Sequence, residues 1–368
     1  MNILFTGGGT AGHIVPALAL AEEFKKRDPK IRFGFVSRSG GKENEIIKRE
    51  DIPLYTINIK GLVRKFSLEN FRVITAAFQA KRDAAKIIEE FLPDIVIGTG
   101  GYVTWPVISA ANERKIPTVI HESNATLGLT TRLLMKKADL VLLGANIKKE
   151  INRSVFVGNP LRRGFDTYSK DVARRELGID SNQKLIVSVG GSIGADKLNR
   201  ASFELMEAFS RENPEICHLH STGYRYYGDI PYELKYLCRG KYGCRIVPFI
   251  ENMARALHAA DIVISRCGAM TLSELAHIGV PAILIPSPNV TANHQMRNAE
   301  YYSSHGAAVI VEEKDLIGGR LIEEVNKLLF DDKALHQMSI AMRSLATPDA
   351  AKSIVDLIEN KFRLKNKD

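Results

Sequence analysis

The sequence opens with a short apolar run that ends in glycines. Gly7, Gly9 and Gly12 fit G-x-G-x-x-G, and His13 follows at once. Such a loop brings backbone N–H groups and a helix start close to phosphate oxygens. In the second half "GGSIGA" repeats the arrangement, with Gly190, Gly191 and Ser192 placed to form an anion-binding nest. Further on, "SRCGAMTLSELA" sets Thr271, Ser273 and Glu274 at a strand end and in the first turns of a helix. Hydroxyls and N–H groups there suit a diphosphate, and the carboxylate can accept both hydroxyls of a ribose. The plainer reading of Glu274 is an acid favoured by the helix dipole. "SPNVTANHQMRNA" adds Asn293, His294 and Gln295, whose amides suit sugar hydroxyls. These groups describe a nucleotide-sugar site better than a nicotinamide site.

The dinucleotide reading has its own test. An NAD site needs a carboxylate at the end of the second strand, where this sequence has Ser37 and Arg38. Arg38 could accept a 2′-phosphate, so NADP stays open on the residues alone. The glycines could also serve only a tight turn.

The elements that must position these groups alternate. In the first half, apolar strands such as "NILFTG", "DIVIGTG" and "DLVLLG" are separated by segments of helical period such as "PALALAEEFKKR". Strands apolar on both faces between amphipathic helices predict a parallel sheet covered on both sides. The second half restarts the scheme at "KLIVSVGG". The expected fold is α/β, with two doubly wound domains facing across a cleft, because ligands of such sheets bind beyond the strands' carboxyl ends. The expected boundaries are 1–160, 161–342 and a terminal helix with basic tail, 343–368, packing back toward the first domain.

With 368 residues, two domains are the default. The chain is 45% apolar and 25% charged, with a net charge of +9. That balance favours anionic partners, but no basic aromatic strand or helix-turn-helix pattern supports nucleic acid. No export signal and no membrane-spanning run is read. Cys217, Cys238, Cys244 and Cys267 are expected as reduced thiols, with a zinc site at Cys238 and Cys244 as an alternative.

The stretches "GGGTAGHIVPALALA", "GTGGYVTWPV", "HESNATLGLTTRLL", "VGNPLR", "GGSIGA", "PFIENM", "SRCGAMTLSELAHIGVPAILIPSP" and "NHQMRNA" stand in this order over nearly the whole chain. Together they resemble the MurG family of bacterial peptidoglycan N-acetylglucosaminyltransferases, which convert lipid I to lipid II. The resemblance implies two Rossmann-like domains in the GT-B arrangement. Departures from the family pattern are Ala11 for a glycine, Ile193 and Ser123 for glutamines, and Trp105 in a place of small residues.

By the same resemblance, UDP-GlcNAc is the donor, lipid I is the acceptor and no cofactor is used. Ile250 would meet uracil through its backbone and Glu274 the ribose. Ser192, Ala269, Met270, Thr271, Leu272 and Ser273 would surround the diphosphate, and Gln295 would contact GlcNAc. Thr10, Ala11, Gly12, Asn124 and Arg162 would complete the site from the first half. The reaction would be an inverting displacement with His13 as base, because an imidazole suits proton transfer near neutrality. His121 and Glu122 are competing candidates, or orient their loop. No D-x-D pair is present, so metal-independent chemistry is expected. The acceptor lipid calls for the anionic cytoplasmic face of the cell membrane, reached peripherally. Leu62, Phe66, Phe71 and Phe78 among Lys and Arg residues would make that contact, with Leu133 and Leu134 beside Arg132. Cell-wall synthesis proteins are further expected partners. Other lipid glycosyltransferases, a UDP-GlcNAc 2-epimerase, a non-catalytic sugar-nucleotide module and an NADP oxidoreductase remain as alternatives.

Overall fold

The computed structural model describes residues 1–61, 69–147, 154–191, 193–213, 215–238, 243–290, 293–316 and 318–364. The chain forms two compact units, Met1–Arg162 with Thr347–Asp368, and Arg163–Ala346. In the first, the elements are β1 (Asn2–Thr6), α1 (Val15–Arg27), β2 (Arg32–Arg38), α2 (Asn44–Lys48), β3 (Leu54–Ile57), α3 (Glu69–Phe91), β4 (Ile95–Gly98), α4 (Thr104–Glu113), β5 (Thr118–Glu122), α5 (Leu129–Leu134), β6 (Leu140–Leu143) and β7 (Ser154–Phe156). The second holds α6 (Lys170–Leu177), β8 (Lys184–Val189), α7 (Asp196–Glu212), β9 (Ile216–Ser221), α8 (Tyr232–Leu237), β10 (Cys244–Val247), α9 (Met253–Ala259), β11 (Ile262–Ser265), α10 (Ala269–Ile278), β12 (Ala282–Leu284), α11 (His294–Ser303), β13 (Ala308–Ile310), α12 (Arg320–Leu329) and α13 (Asp332–Ser344). The chain then returns to the first unit with α14 (Ala350–Phe362).

The first sheet is parallel throughout, in the order β3-β2-β1-β4-β5-β6-β7. Its strands are apolar on both faces because both are covered. Ile3 and Phe5 pack with Ala17, Leu18 and Phe24 of α1, while Leu4 packs with Ile88 and Phe91 of α3 and Val107 of α4. Ile354, Val355 and Ile358 of α14 are fully buried on the α1 side. Each such side chain contributes roughly 1.5–3 kcal/mol by leaving water. Arg27, at the end of α1, fixes the register of that contact by bonding Asp356 at 2.7 Å and Glu359 at 2.9 Å.

The second sheet is also parallel, in the order β10-β9-β8-β11-β12-β13. Leu185 and Val187 face one core and Ile186 the other. Each sheet reverses its strand order once, between β1 and β4 and between β8 and β11. Diverging loops leave a crevice at such a reversal. The glycine stretches singled out above follow β1, β4 and β8, and "CGAMT" follows β11.

Candidate functional site

At the first reversal, the loop after β1 leads through a single tight turn, Ala11–His13, into α1. The loop after β4 is laced to it. Gly8 N–H donates to the Gly100 carbonyl at 3.3 Å, and the Thr99 hydroxyl to the His13 carbonyl at 2.5 Å. Gly100 and Gly101 have φ of 112° and 84°. A Cβ on Gly100 would sit 2.7 Å from the His13 ring, and one on Gly101 2.1 Å from the Gly8 carbonyl oxygen. Both positions therefore require glycine for conformation and for space.

His13 Nδ1 lies 2.8 Å from the Gly8 carbonyl oxygen. A carbonyl only accepts, so Nδ1 carries the proton and the lone pair lies on Nε2. The Thr10 hydroxyl is 3.5 Å from the same nitrogen. Beneath the loop is Glu43, a residue that sequence reasoning missed. Its carboxylate accepts from Gly9 N–H at 2.7 Å and from Arg38 Nε and Nη2 at 2.9 and 3.2 Å. Burial opposes charge on Glu43, but these donors outweigh it and hold its carboxyl below the usual range. The pairing corrects the NADP alternative, since the guanidinium expected to meet a 2′-phosphate is committed to Glu43. It also occupies Gly9 N–H, one of the loop donors expected to face phosphate.

The "HESN" stretch runs from the end of β5. His121 is fully buried, with Nε2 donating to the Gly158 carbonyl at 3.1 Å and Nδ1 3.4 Å from the Ser123 hydroxyl. Burial pushes its pKa down, against the Gly158 bond. Glu122 accepts from Asn124 N–H (3.2 Å), Asn124 Nδ2 (3.1 Å), Gly128 N–H (2.8 Å) and the Thr131 hydroxyl (2.7 Å). A carboxylate so enclosed orders its loop and is badly placed to take a proton. The Arg162 guanidinium pairs with Glu22 of α1 at 2.6 Å and with Glu50 at 2.9 Å.

The second reversal is finished differently. The loop after β8 docks on the loop after β9, and a Cβ on Gly194 would lie 2.0 Å from the Thr222 carbonyl oxygen. Ser192 lies outside the described residues. After β11, Gly268 caps α10, whose first N–H groups, on Ala269, Met270 and Thr271, are left without helical partners. Leu272 is different: its N–H donates to the Gly268 carbonyl at 3.0 Å and its side chain is 1% exposed in the core. Its expected place beside the diphosphate therefore rests on neither its N–H nor its side chain. Met270 keeps only its N–H for a ligand, because its side chain is buried. The Ser273 hydroxyl bonds the buried Tyr302 phenol, turning it toward α11.

Glu274 is half-buried with no hydrogen bond or ion pair among the described residues, and desolvation pushes its carboxyl up to about 8. Gln295 is oriented from behind. Its Oε1 accepts from Cys267 N–H at 3.3 Å and Ser287 N–H at 2.9 Å, and its NH2 end has no partner among the described residues. The Ile250 side chain is buried, while its main-chain N–H and carbonyl have no partner among the described residues. Beside it, Phe249 stacks on Tyr224 at a centroid distance of 6.2 Å.

Of the apolar residues expected at a membrane, Leu62 and Phe66 lie outside the described residues, as does the Phe71 side chain. Phe78 is 55% exposed and packs edge-on against Trp105 at 6.0 Å, and Leu133 of α5 is exposed. Leu134 corrects the expectation, because its side chain is buried in the core behind α5, while Leu129, not among the expected residues, is exposed. Among the described residues, no helix is long and apolar enough to cross a membrane, and no group of three or more His, Cys, Asp or Glu could hold a metal. Cys238 and Cys244 are free thiols.

Residues 3–143 match the family model for the glycosyltransferase family 28 N-terminal domain, and residues 185–354 that for its C-terminal domain. A protein of Acetivibrio thermocellus is 39% identical over 100% of this chain and 99% of its own. One of Halalkalibacterium halodurans is 38% identical over 98% and 99%. Both are named UDP-N-acetylglucosamine–N-acetylmuramyl-(pentapeptide) pyrophosphoryl-undecaprenol N-acetylglucosamine transferase. The crystal structure of MurG from Acinetobacter baumannii superimposes with a TM-score of 0.75 at 27% identity, over 98% of this chain and 99% of that one.

Proposed function

Since the chain belongs to the MurG family of glycosyltransferase family 28, we propose that it transfers GlcNAc from UDP-GlcNAc to the muramyl sugar of lipid I, giving lipid II. The observation that carries the donor half is the set of unpartnered polar groups at the second reversal. The Ile250 main chain meets uracil, the Glu274 carboxylate takes the ribose hydroxyls, and the Gln295 amide takes GlcNAc hydroxyls. The N–H groups of Ala269, Met270 and Thr271 and the Thr271 hydroxyl face the diphosphate. A helix N-terminus already in place stabilises charge on leaving UDP without reorganisation.

The first unit supplies the acceptor side. His13 Nε2 takes the proton of the attacking 4-hydroxyl as that oxygen displaces UDP at the anomeric carbon, with inversion. Thr10, Ala11 and Gly12 form the turn that holds this imidazole, and Asn124 is presented by the loop that Glu122 orders. No metal is needed for this scheme. The exposed Phe78, Leu129 and Leu133, with Arg132, Lys136 and Lys137 nearby in sequence, make the peripheral contact with the anionic cytoplasmic face of the membrane.

The test is transfer of radiolabelled GlcNAc to a short-chain lipid I analogue in EDTA. Transfer is expected to persist. Donor consumption without a product on lipid I would overturn the acceptor, and loss of activity restored by a divalent cation would overturn the metal-independent scheme.

A further inference from the structure

Two hydrogen bonds described above meet on one peptide group. The Gly8 carbonyl accepts from His13 Nδ1 at 2.8 Å, and the N–H of the same peptide, on Gly9, donates to Glu43 Oε1 at 2.7 Å. Arg38 holds that carboxylate with two further bonds. A peptide that donates to an anion on one side becomes a stronger acceptor on the other, because hydrogen bonds in a chain polarise one another. Both residues of this peptide are glycines, so no side chain of the loop itself restricts its plane.

We infer that Glu43 is a positioning residue for His13, acting through the Gly8–Gly9 peptide to fix the Nδ1–H tautomer and to raise the basicity of Nε2. The logic is that of a carboxylate behind a histidine, with a main-chain amide inserted between them. When the acceptor hydroxyl is deprotonated, its proton goes to Nε2. The Nδ1 proton stays on the Gly8 bond, and the positive charge formed on the ring is opposed by the Glu43 anion across the peptide.

The surroundings agree with this role. Glu43 is 9% exposed, so solvent screens it weakly. The titratable groups that face it are Arg38 of β2 and Tyr102 of the loop after β4; burial pushes the Tyr102 phenol up, leaving it neutral. The His13 ring lies beside the Thr10 hydroxyl and the main chain of Gly8, Gly100 and Gly101. A Cβ on Gly41 would lie 2.8 Å from the Glu43 carboxyl, so the turn before α2 is shaped around this side chain.

The inference rests on His13 as base for its effect on rate, but not for its effect on the ring. Nitrogen NMR of the full chain labelled in histidine, with the His13 signals assigned from His13→Gln, reads the tautomer directly. Wild type is expected to show Nδ1–H. Glu43→Ala is expected to lose that preference, while Glu43→Gln, which can still accept from Gly9, keeps it. In kinetics, Glu43→Gln is expected to lower kcat about 10–100-fold, leave the KM for UDP-GlcNAc unchanged, and move the acidic limb of the kcat–pH profile about half a unit or more downward. A wild-type His13 protonated on Nε2, or a Glu43→Ala variant with wild-type tautomer and wild-type acidic limb, overturns the proposal. Undiminished transfer by His13→Gln would sink the base assignment alone, because the NMR result stands without it.

Discussion

At the strand reversal of the first unit, the polar groups are largely tied to one another: His13 to Gly8, Gly9 to Glu43, Thr99 to the His13 carbonyl. At the equivalent reversal of the second unit, among the described residues, Glu274 has no partner, Gln295 is braced only from behind, and the first N–H groups of α10 are open. The topology is the same and the finish is opposite. A site that must hold one imidazole in one orientation satisfies its loops internally. On the roles proposed above, a site that must bind a nucleotide sugar leaves donors and acceptors for the ligand to satisfy, and the folded protein carries their desolvation until it arrives.

If this contrast is right, substitutions at the two reversals separate rate from binding. The largest effect is expected from His13→Ala, which should reduce kcat about 10²–10⁴-fold while UDP affinity, read by calorimetry, changes little. Equal losses in both would erase the distinction. Glu274→Ala should do the reverse, weakening UDP binding by about 1.5–3 kcal/mol, the range for hydrogen bonds to a charged group.

The raised pKa sharpens that test. A carboxyl that titrates near 8 in the free protein is mostly protonated at pH 7. If the ribose selects the ionised form, UDP binding releases a proton. Affinity should then rise with pH, by up to about tenfold per unit, and level off above 8. For folding the sign is opposite, because the free protein holds this proton more tightly than the unfolded chain. Its contribution is fully present below about 4.5 and is lost as pH rises through 8. Calorimetry in buffers of different ionisation heat detects the released proton, and a pH-independent affinity would contradict the assignment.

The two cores differ as well. Buried His121 of the first unit has a partner at each ring nitrogen. In the second, the Ser188 hydroxyl bridges His218 and His220 at 2.7 Å each, while His218 Nδ1 and His220 Nε2 have none among the described residues. Burial pushes His220 down to about 3 and His218 well below its ordinary value. Both are depressed in the folded state, so their contribution is present above about 6.5 and lost as pH falls toward 3. By pH 5 His220 alone should cost about 2 kcal/mol. Acid melts should therefore show the second unit unfolding first, and His220→Gln should lessen the shift. The smallest effect is expected from Gln295→Ala, about 1 kcal/mol in donor binding, seen as a several-fold rise in the KM for UDP-GlcNAc.

Much of this could be seen in the sequence because it is local. Doubly apolar strands, glycine turns and the histidine at a helix start lie within a few residues of one another. What escaped depends on distant partners. Glu43 reaches Gly9 across 34 positions, and Arg162 finds Glu22 and Glu50 across 140 and 112. No spacing rule relates such residues. Leu272 was readable, since Leu272, Leu275 and Ala276 recur at core spacing on α10. The motif drew attention to its neighbours and away from its own period.

The return of α14 onto α1 has a consequence for the order of events on the ribosome. Residues 163–346 are all synthesised before the helix that covers Ala17, Leu18 and Ala21 emerges. Nascent domains generally fold as units, the N-terminal one first. Here the second unit can close while the first still exposes an apolar strip, so the part translated first is completed last.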